Sequence, residues 1–496
     1  MGIPGMSGKW HDFLDAQRLQ RPGAPAFSDS LGNHWSFGDT AVAVADLAIE
    51  LQEAGVQPGD RVLLLCENCA PVIAALFACS RIGAAVIPLN ARQSMNEVTR
   101  VIAHAEPAVI LFTSVVSAEA RQHAGRFNTT KLSGSFGEMD MCTLQSGPDD
   151  LNDTAVILYT TGTTGAPKGV MLTHGNLLFA GIISMNTRGI DATDYVYGVL
   201  PLSHVFGLAS VVTACACAGS HVFLEPRFSP SRLYNALCNG VTLLSAVPQM
   251  HAMLMQYTKE QGFDRLPVNT LRYISSGAAP LDPDWKRRAE AFYGVPVQNG
   301  FGMTEATAGI CITRSELGDP DISCGLPFPG VEVKLDFDAI GAENEVGEVL
   351  VRGDNVMSGY FRDPEATART FTDDGWLRTG DLGSLDEHGR LHIRGRSKEL
   401  IIHGGFNVYP PEVEAVLSEH PQVIQAAVIG QKTDGDELVV AFVQAAIHDL
   451  PDPEALREFV AQRLTGYKRP SRIEVLTDLP AAATGKILKH KLHELL

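Results

Sequence analysis

The 496 residues carry 39 Lys and Arg against 57 Asp and Glu, a formal net charge of −18. That balance excludes a general nucleic-acid binder and obliges any site for a polyanion to build its positive potential locally. Hydrophobic residues make up 45% and charged residues 19%, as in a folded globular chain, and the length exceeds one ordinary core, so two or more domains are expected. No apolar run reaches the ~18 residues of a membrane-spanning helix, and residues 1–6 lack the basic and apolar regions of a signal peptide. A cytoplasmic location is therefore expected, with peripheral contact with lipid left open.

In chain order, 61–65 reads as a strand, 71–81 as a helix ended by Gly83, 85–89 as a strand, 95–104 as a helix and 108–112 as a strand. Strand–helix alternation predicts parallel α/β layers. Residues 121–150 are polar and glycine-bearing and read as a surface segment. Cys66 and Cys69 form one close pair among nine cysteines, and a redox or zinc role needs a second pair or a suitable setting. Cys215 and Cys217 lie in a small apolar stretch that core packing explains, so structural cysteines are expected.

Residues 155–159 form an apolar run that reads as a buried strand. Thr160, Thr161, Gly162, Thr163, Thr164, Gly165 and Lys168 follow. Glycine lets backbone amides approach an anion, hydroxyls donate to phosphate oxygens, and the lysine adds a point charge. The stretch reads as a phosphate loop, the plainer alternative being a flexible turn between strand and helix. It is not a Walker A loop, because Gly169 stands where a Ser or Thr would hold magnesium. Strand-like runs recur at 199–202, 222–224, 243–247 and 273–275. From 331 onward the chain turns β-rich, with 331–335 and 347–352. After Arg396 comes a compact charged region with strands at 426–429 and 438–443 and helices at 412–419 and 453–464. No internal repeat or low-complexity tract interrupts this order.

Four further motifs follow the loop: Asn299-Gly300-Phe301-Gly302-Met303-Thr304-Glu305, Arg378-Thr379-Gly380-Asp381, Gly395-Arg396-Ser397-Lys398-Glu399 and Thr484-Gly485-Lys486-Ile487. Together they resemble the AMP-forming adenylating enzymes, which include acyl-CoA synthetases, peptide-synthetase adenylation domains and firefly-type luciferases. The motifs fall in that family's order across nearly the whole chain. The resemblance implies an α/β fold: a large N-terminal domain (1–395) of layered α/β subdomains plus a β-rich subdomain, and a small mobile α+β C-terminal domain (396–496). It implies ATP, magnesium and CoA as participants, and a carboxylic acid as substrate.

The same resemblance implies the roles. Thr160, Thr161, Gly162, Thr163, Thr164 and Lys168 would hold the β- and γ-phosphates, Thr304 the α-phosphate and Glu305 the magnesium. Asn299 and Gly300 would meet the adenine edge. Phe301, where the family usually has tyrosine, would stack on the ring. Gly277, Ala278 and Ala279 would run between nucleotide and acyl pocket, and Gly302 would lie against the nucleotide. Asp381 and Arg396 would bind the ribose, Lys398 would be the hinge, and Gly404 and Gly405 would line the pantetheine arm of CoA. Lys486 would be the adenylation lysine. His204 would gate an acyl pocket lined by Phe206, Ser276, Gly277, Met303 and Ala308, although a lone histidine is often structural. An acid is absent from 205–211, which argues against an amino-acid substrate. No Arg or Lys stands in 205–218 or 276–281 to pair a second carboxylate. An apolar aliphatic or aromatic monocarboxylate is expected. No carrier domain follows Leu496 and no insertion stands near the hinge, which favours free CoA over an acyl-AMP ligase that loads a carrier protein. A catalytically dead nucleotide-binding protein is disfavoured, because every charged residue the mechanism needs is present. Monomer and homodimer both remain open.

Overall fold

The structure, a computed structural model, describes residues 8–151, 153–161, 167–267, 269–277, 281–339, 341–342, 345–433, 436–481 and 487–496. Two large mixed sheets dominate the first 330 residues. In the eight-stranded sheet the order is Gly359–Tyr360, Pro167–Thr173, Thr154–Thr161, Ala85–Asn90, Arg61–Cys66, Val109–Phe112, Gly137–Thr143 and Thr130–Gly134. Its centre is parallel and its edges are antiparallel hairpins. Both faces are covered, so strands such as Arg61–Cys66 are buried at every residue and read as unbroken apolar runs.

The nine-stranded sheet runs Leu326–Pro327, Cys311–Ile312, Val297–Phe301, Tyr273–Ser276, Leu243–Ala246, Tyr195–Gly198, His221–Leu224, Pro25–Asp29 and His34–Ser36. Every residue of the helix Ala70–Ile82 except Arg81 is buried, and Gly83 ends it in the left-handed conformation at φ 86°, as a C-terminal glycine does. A four-stranded antiparallel sheet follows: Val331–Asp336, Gly347–Gly353, Leu377–Leu385 and Leu391–Arg396.

Beyond Ile401 the chain builds its own apolar clusters, one around Val413, Leu417, Ala441 and Leu456 and a second around Phe442, Leu479 and Leu492. The hairpin Gln425–Thr433 with Asp436–Gln444 pairs the parallel strand Arg472–Leu476. Helices Pro410–Ser418 and Pro453–Ala461 cover this sheet. Among the described residues no helix is long and apolar enough to cross a membrane. All nine cysteines are unpaired and six are buried; burial pushes the Cys66 and Cys79 thiols up to about 12.

Two expectations are corrected. The strand expected at 199–202 is Tyr195–Gly198. Pro201 has no N–H for a ladder, and Leu202 N–H instead donates to Asn68 Oδ1 at 3.0 Å. The surface segment expected at 121–150 contains the hairpin Thr130–Gly134 with Gly137–Thr143, which widens the first sheet. Its tail is pinned by Arg61, whose buried guanidinium donates to the Gly147 carbonyl at 2.8 Å and pairs with Asp149 at 3.2 Å.

Candidate active site

The stretch expected to be a phosphate loop is flanked by two strands, not by a strand and a helix. Thr154–Thr161 pairs antiparallel with Pro167–Thr173, with Thr160 opposite Lys168. Gly162, Thr163 and Thr164 lie outside the described residues, and of Thr161 only the backbone is described. Gly169 lets another segment close in: its carbonyl accepts from Phe361 N–H at 2.7 Å, and a Cβ there would meet Ile157 at 2.8 Å.

That segment brings Tyr360. Its strand, Gly359–Tyr360, pairs with Pro167–Thr173 at Met171 and Val170. The Tyr360 hydroxyl donates to Glu305 Oε1 at 2.9 Å, while Lys168 Nζ lies 4.7 Å from the Tyr360 ring centroid. Burial, and after it the Glu305 carboxylate, hold the Tyr360 phenol well above its ordinary pKa, so it remains a donor at neutral pH. Sequence reasoning passed Tyr360 over. A Gly-Tyr pair carries no catalytic signal, and its two contacts join residues 55 and 192 positions away.

Glu305 sits on the 3₁₀ turn Thr304–Ala306, which follows the strand Val297–Phe301 after Gly302 and Met303. The turn folds back on itself. Thr307 and Ala308 adopt left-handed backbone at φ 45° and 80°, a strain of ~1–3 kcal/mol each that only over-determined surroundings maintain. Three hydrogen bonds supply them: Thr307 Oγ1 donates to the Asn355 carbonyl at 2.6 Å, Asn355 Nδ2 donates to the Gly309 carbonyl at 2.9 Å, and Met357 N–H donates to the Glu305 carbonyl at 2.9 Å. A Cβ on Gly302 would lie 1.4 Å from the Ala308 carbonyl oxygen, so this position admits glycine alone. Phe301 and Thr304 are half-buried beside it. Gly300 pairs with Ile312 across the sheet.

Asn299, expected to accept or donate at the adenine edge, has its amide nitrogen engaged by the protein. Its side chain is buried, and Nδ2 donates to the Ser323 carbonyl at 2.8 Å. The amide nitrogen therefore ties the strand to the neighbouring loop.

Asp381 and Arg396 are directly opposite one another on paired strands, with Arg396 Nε 3.3 Å from Asp381 Oδ1. Asp381 is buried and Arg396 is exposed, which leaves the guanidinium facing solvent over the carboxylate. Arg378 is engaged elsewhere, 2.9 Å from both Asp336 and Glu348. Lys398 lies exposed on the 3₁₀ turn Ser397–Glu399, which Ser397 Oγ fastens to the Gly380 carbonyl at 3.1 Å.

The residues expected to line the acyl pocket gather where the π-helix Phe206–Thr213 meets the end of Tyr273–Ser276. A Cβ on Gly207 would be 2.5 Å from the Pro201 carbonyl oxygen, and one on Gly277 would be 3.2 Å from the Phe206 ring. Thus Phe206 closes over Gly277. The Ser276 hydroxyl is buried and has no hydrogen-bond partner among the described residues. Met303 and Ala308 are half-buried, joined by Ala308 N–H to the Met303 carbonyl. The His204 side chain is exposed, yet desolvation by the protein around it, and after it the Arg92 charge, holds its imidazole below the ordinary histidine pKa. Ala278 and Ala279 lie outside the described residues.

Gly404 and Gly405 form the turn between the strands Ile401–His403 and Phe406–Val408, at φ 58° and 81°. A Cβ on either would meet nothing within 4 Å. Within the chain itself, the need for glycine here is conformational. Lys486 lies outside the described residues; the residues flanking that stretch, Ala481 and Ile487, face each other in a β-bridge.

Residues 14–361 match the family model for AMP-binding enzymes and residues 412–486 the model for the AMP-binding enzyme C-terminal domain. The chain is 35% identical to a 2-succinylbenzoate–CoA ligase of Geobacillus kaustophilus, covering 93% of each chain. It is 34% identical to a feruloyl-CoA synthase of an Amycolatopsis species, covering 92% of this chain and 93% of that one. The fold matches that of O-succinylbenzoate coenzyme A synthetase from Bacillus subtilis in complex with ATP and magnesium ion, at a TM-score of 0.82 and 30% identity over 97% of this chain and 99% of that one. The chain belongs to the AMP-binding enzyme family.

Proposed function

We propose that this protein is an ATP-dependent carboxylate–CoA ligase that forms acyl-CoA through an acyl-adenylate, acting on an apolar aliphatic or aromatic monocarboxylate. The observation that carries the reading is the meeting of Lys168 and Glu305 on one tyrosine. A cation and a carboxylate are held near each other without pairing, as a metal–triphosphate requires. The donor set fits a hard divalent cation: among the described residues Glu305 has no ion-pair partner and keeps one oxygen clear of Tyr360. Bound magnesium would neutralise charge on the phosphate oxygens.

In the first half-reaction the substrate carboxylate oxygen attacks the α-phosphorus, and the bond to pyrophosphate breaks. Lys168 and the threonines from Thr160 to Thr164 hold the departing phosphates, Thr304 donates to the α-phosphate, and Asp381 with Arg396 anchors the ribose. In the second half the CoA thiolate attacks the acyl carbonyl and AMP leaves. The unit 396–496 turns about Lys398 against the body 1–395 between the two halves, bringing Lys486 and then the Gly404–Gly405 turn to the site. The small apolar residues around Phe206 and Gly277 support an uncharged acyl group. Relatives named as a feruloyl-CoA synthase and a 2-succinylbenzoate–CoA ligase favour an aromatic acid within that class.

The test is pyrophosphate release with and without CoA across short, medium, long-chain and aromatic acids. Acid-dependent pyrophosphate release joined to CoA consumption supports the reading. Release without CoA consumption points to a carrier-protein acceptor, and no acid-dependent release at all removes the reading.

A further inference from the structure

Tyr360 holds two oppositely charged groups with two different parts of one side chain. Its hydroxyl donates to Glu305 Oε1 at 2.9 Å, and its ring carries Lys168 Nζ 4.7 Å from the centroid. Neither charge has an ion-pair partner within 4.0 Å among the described residues. Tyr360 is itself fixed. Its N–H donates to Thr367 Oγ1 at 2.9 Å, its backbone pairs with Val170 two residues beyond Lys168, and Met357, three residues before it, donates to the Glu305 carbonyl at 2.9 Å. The segment 357–360 therefore bridges the strand of Lys168 and the turn of Glu305 through backbone and side chain together.

We propose that Tyr360 is a positioning residue that orients the Glu305 carboxylate toward the divalent cation and keeps Lys168 from pairing with it. A carboxylate with one oxygen hydrogen-bonded presents the other in a fixed direction, and a partner that orients a metal ligand is worth roughly 10–100-fold in metal affinity. The aromatic face offers the ammonium a seat that leaves its charge free for phosphate oxygens. The proposal rests on the reading of Glu305 as the cation's ligand.

Tyr360→Phe removes the hydroxyl and keeps the ring. With Mn²⁺ as probe and the α,β-methylene analogue of ATP, its Mn²⁺ Kd should rise roughly tenfold, by electron paramagnetic resonance. The Mg²⁺ concentration for half-maximal acid-dependent ATP–pyrophosphate exchange should rise in step, with exchange recovering at high Mg²⁺. Tyr360→Leu, which removes the ring as well, should in addition raise the KM for ATP. A Mn²⁺ Kd and a Mg²⁺ dependence within twofold of wild type in Tyr360→Phe overturn the proposal, as does lost exchange that no Mg²⁺ concentration restores. An ATP KM in Tyr360→Leu equal to that in Tyr360→Phe overturns the part assigned to the ring. Glu305→Gln separates the two layers: if it leaves the Mn²⁺ Kd unchanged, the reading of Glu305 itself falls, whatever Tyr360 does.

Discussion

At Gly302, beside Glu305, an added methyl would sit 1.4 Å from the Ala308 carbonyl oxygen; at Gly404 and Gly405 it would meet nothing within 4 Å. Both turns need glycine. The first is closed on itself, with strained Thr307 and Ala308 held by Asn355. The second is open, requires only a positive φ, and carries a half-exposed aromatic, Phe406, stacked on Tyr467 at 4.7 Å. A filled turn suits a group that must not move between two chemical steps. An open turn leaves its face free for another surface or ligand. The contrast matches a division of labour in which the body keeps the nucleotide throughout and the C-terminal unit presents different faces in turn.

The sharpest way to break that comparison is Gly302→Ala. The clash is with backbone, which cannot swing aside, so stability should fall by about 3 kcal/mol or more and adenylation by at least ~10²-fold. Urea unfolding and ATP–pyrophosphate exchange read the two effects. A near-normal variant would mean that the turn is not closed.

Acid probes the packing of the body differently. His251 is fully buried, its imidazole bonded to the Tyr293 hydroxyl and the Ser275 carbonyl, and burial pushes it down to about 4. His174, also buried, is pushed down to about 4 by burial and then by Lys9. The unfolded chain binds these protons from about pH 6.5 downward and the folded chain does not. Stability should therefore fall as pH drops from 6.5 to 4, by about 3 kcal/mol for His251 alone. Thermal unfolding across that range checks it, and a flat profile contradicts it.

The C-terminal unit is fastened partly by charge. Lys489 lies 2.9 Å from Glu399 and 2.8 Å from Glu414. Burial opposes its charge, and Glu414 and Glu399 more than offset that, holding its pKa above the ordinary lysine value. Its stabilisation should be present below pH ~10.4 and be lost above it, through the raised folded pKa. Lys489→Met should cost about 1–2 kcal/mol, the partial exposure of the three groups tempering the loss. Limited proteolysis of the C-terminal unit in urea gives the value; equal resistance to wild type would mean that the triad is ornamental. The smallest effect belongs to the open turn: Gly405→Ala should cost only about 1 kcal/mol, the strain of a left-handed alanine, with no packing defect.

Much of this was legible in the sequence where residues act locally. Buried parallel strands appear as apolar runs, so Arg61–Cys66 and Ala85–Asn90 were foreseen almost to the residue, as was the stop at Gly83. Asp381 and Arg396 were both expected at the ribose, and strand register sets them opposite each other. What failed was what tertiary pairing decides. Residues 130–143 are polar because they form an edge hairpin, and polarity alone reads as loop. Nor does the sequence show that a loop 24 residues later engages the Asn299 amide nitrogen. Tyr360 was invisible because its partners come from two other segments. The π-helix at Phe206–Thr213 has small apolar residues that serve an ordinary helix equally well.

The central claim, that body and C-terminal unit divide the two half-reactions between them, is tested most directly by Lys486→Ala assayed on each half alone. The account predicts failure with acid and ATP, by at least ~10²-fold, alongside near-normal thioester formation from supplied acyl-adenylate and CoA. Equal damage to both halves would contradict it, because Lys486 would then serve the fold or the thiol and not the adenylation step.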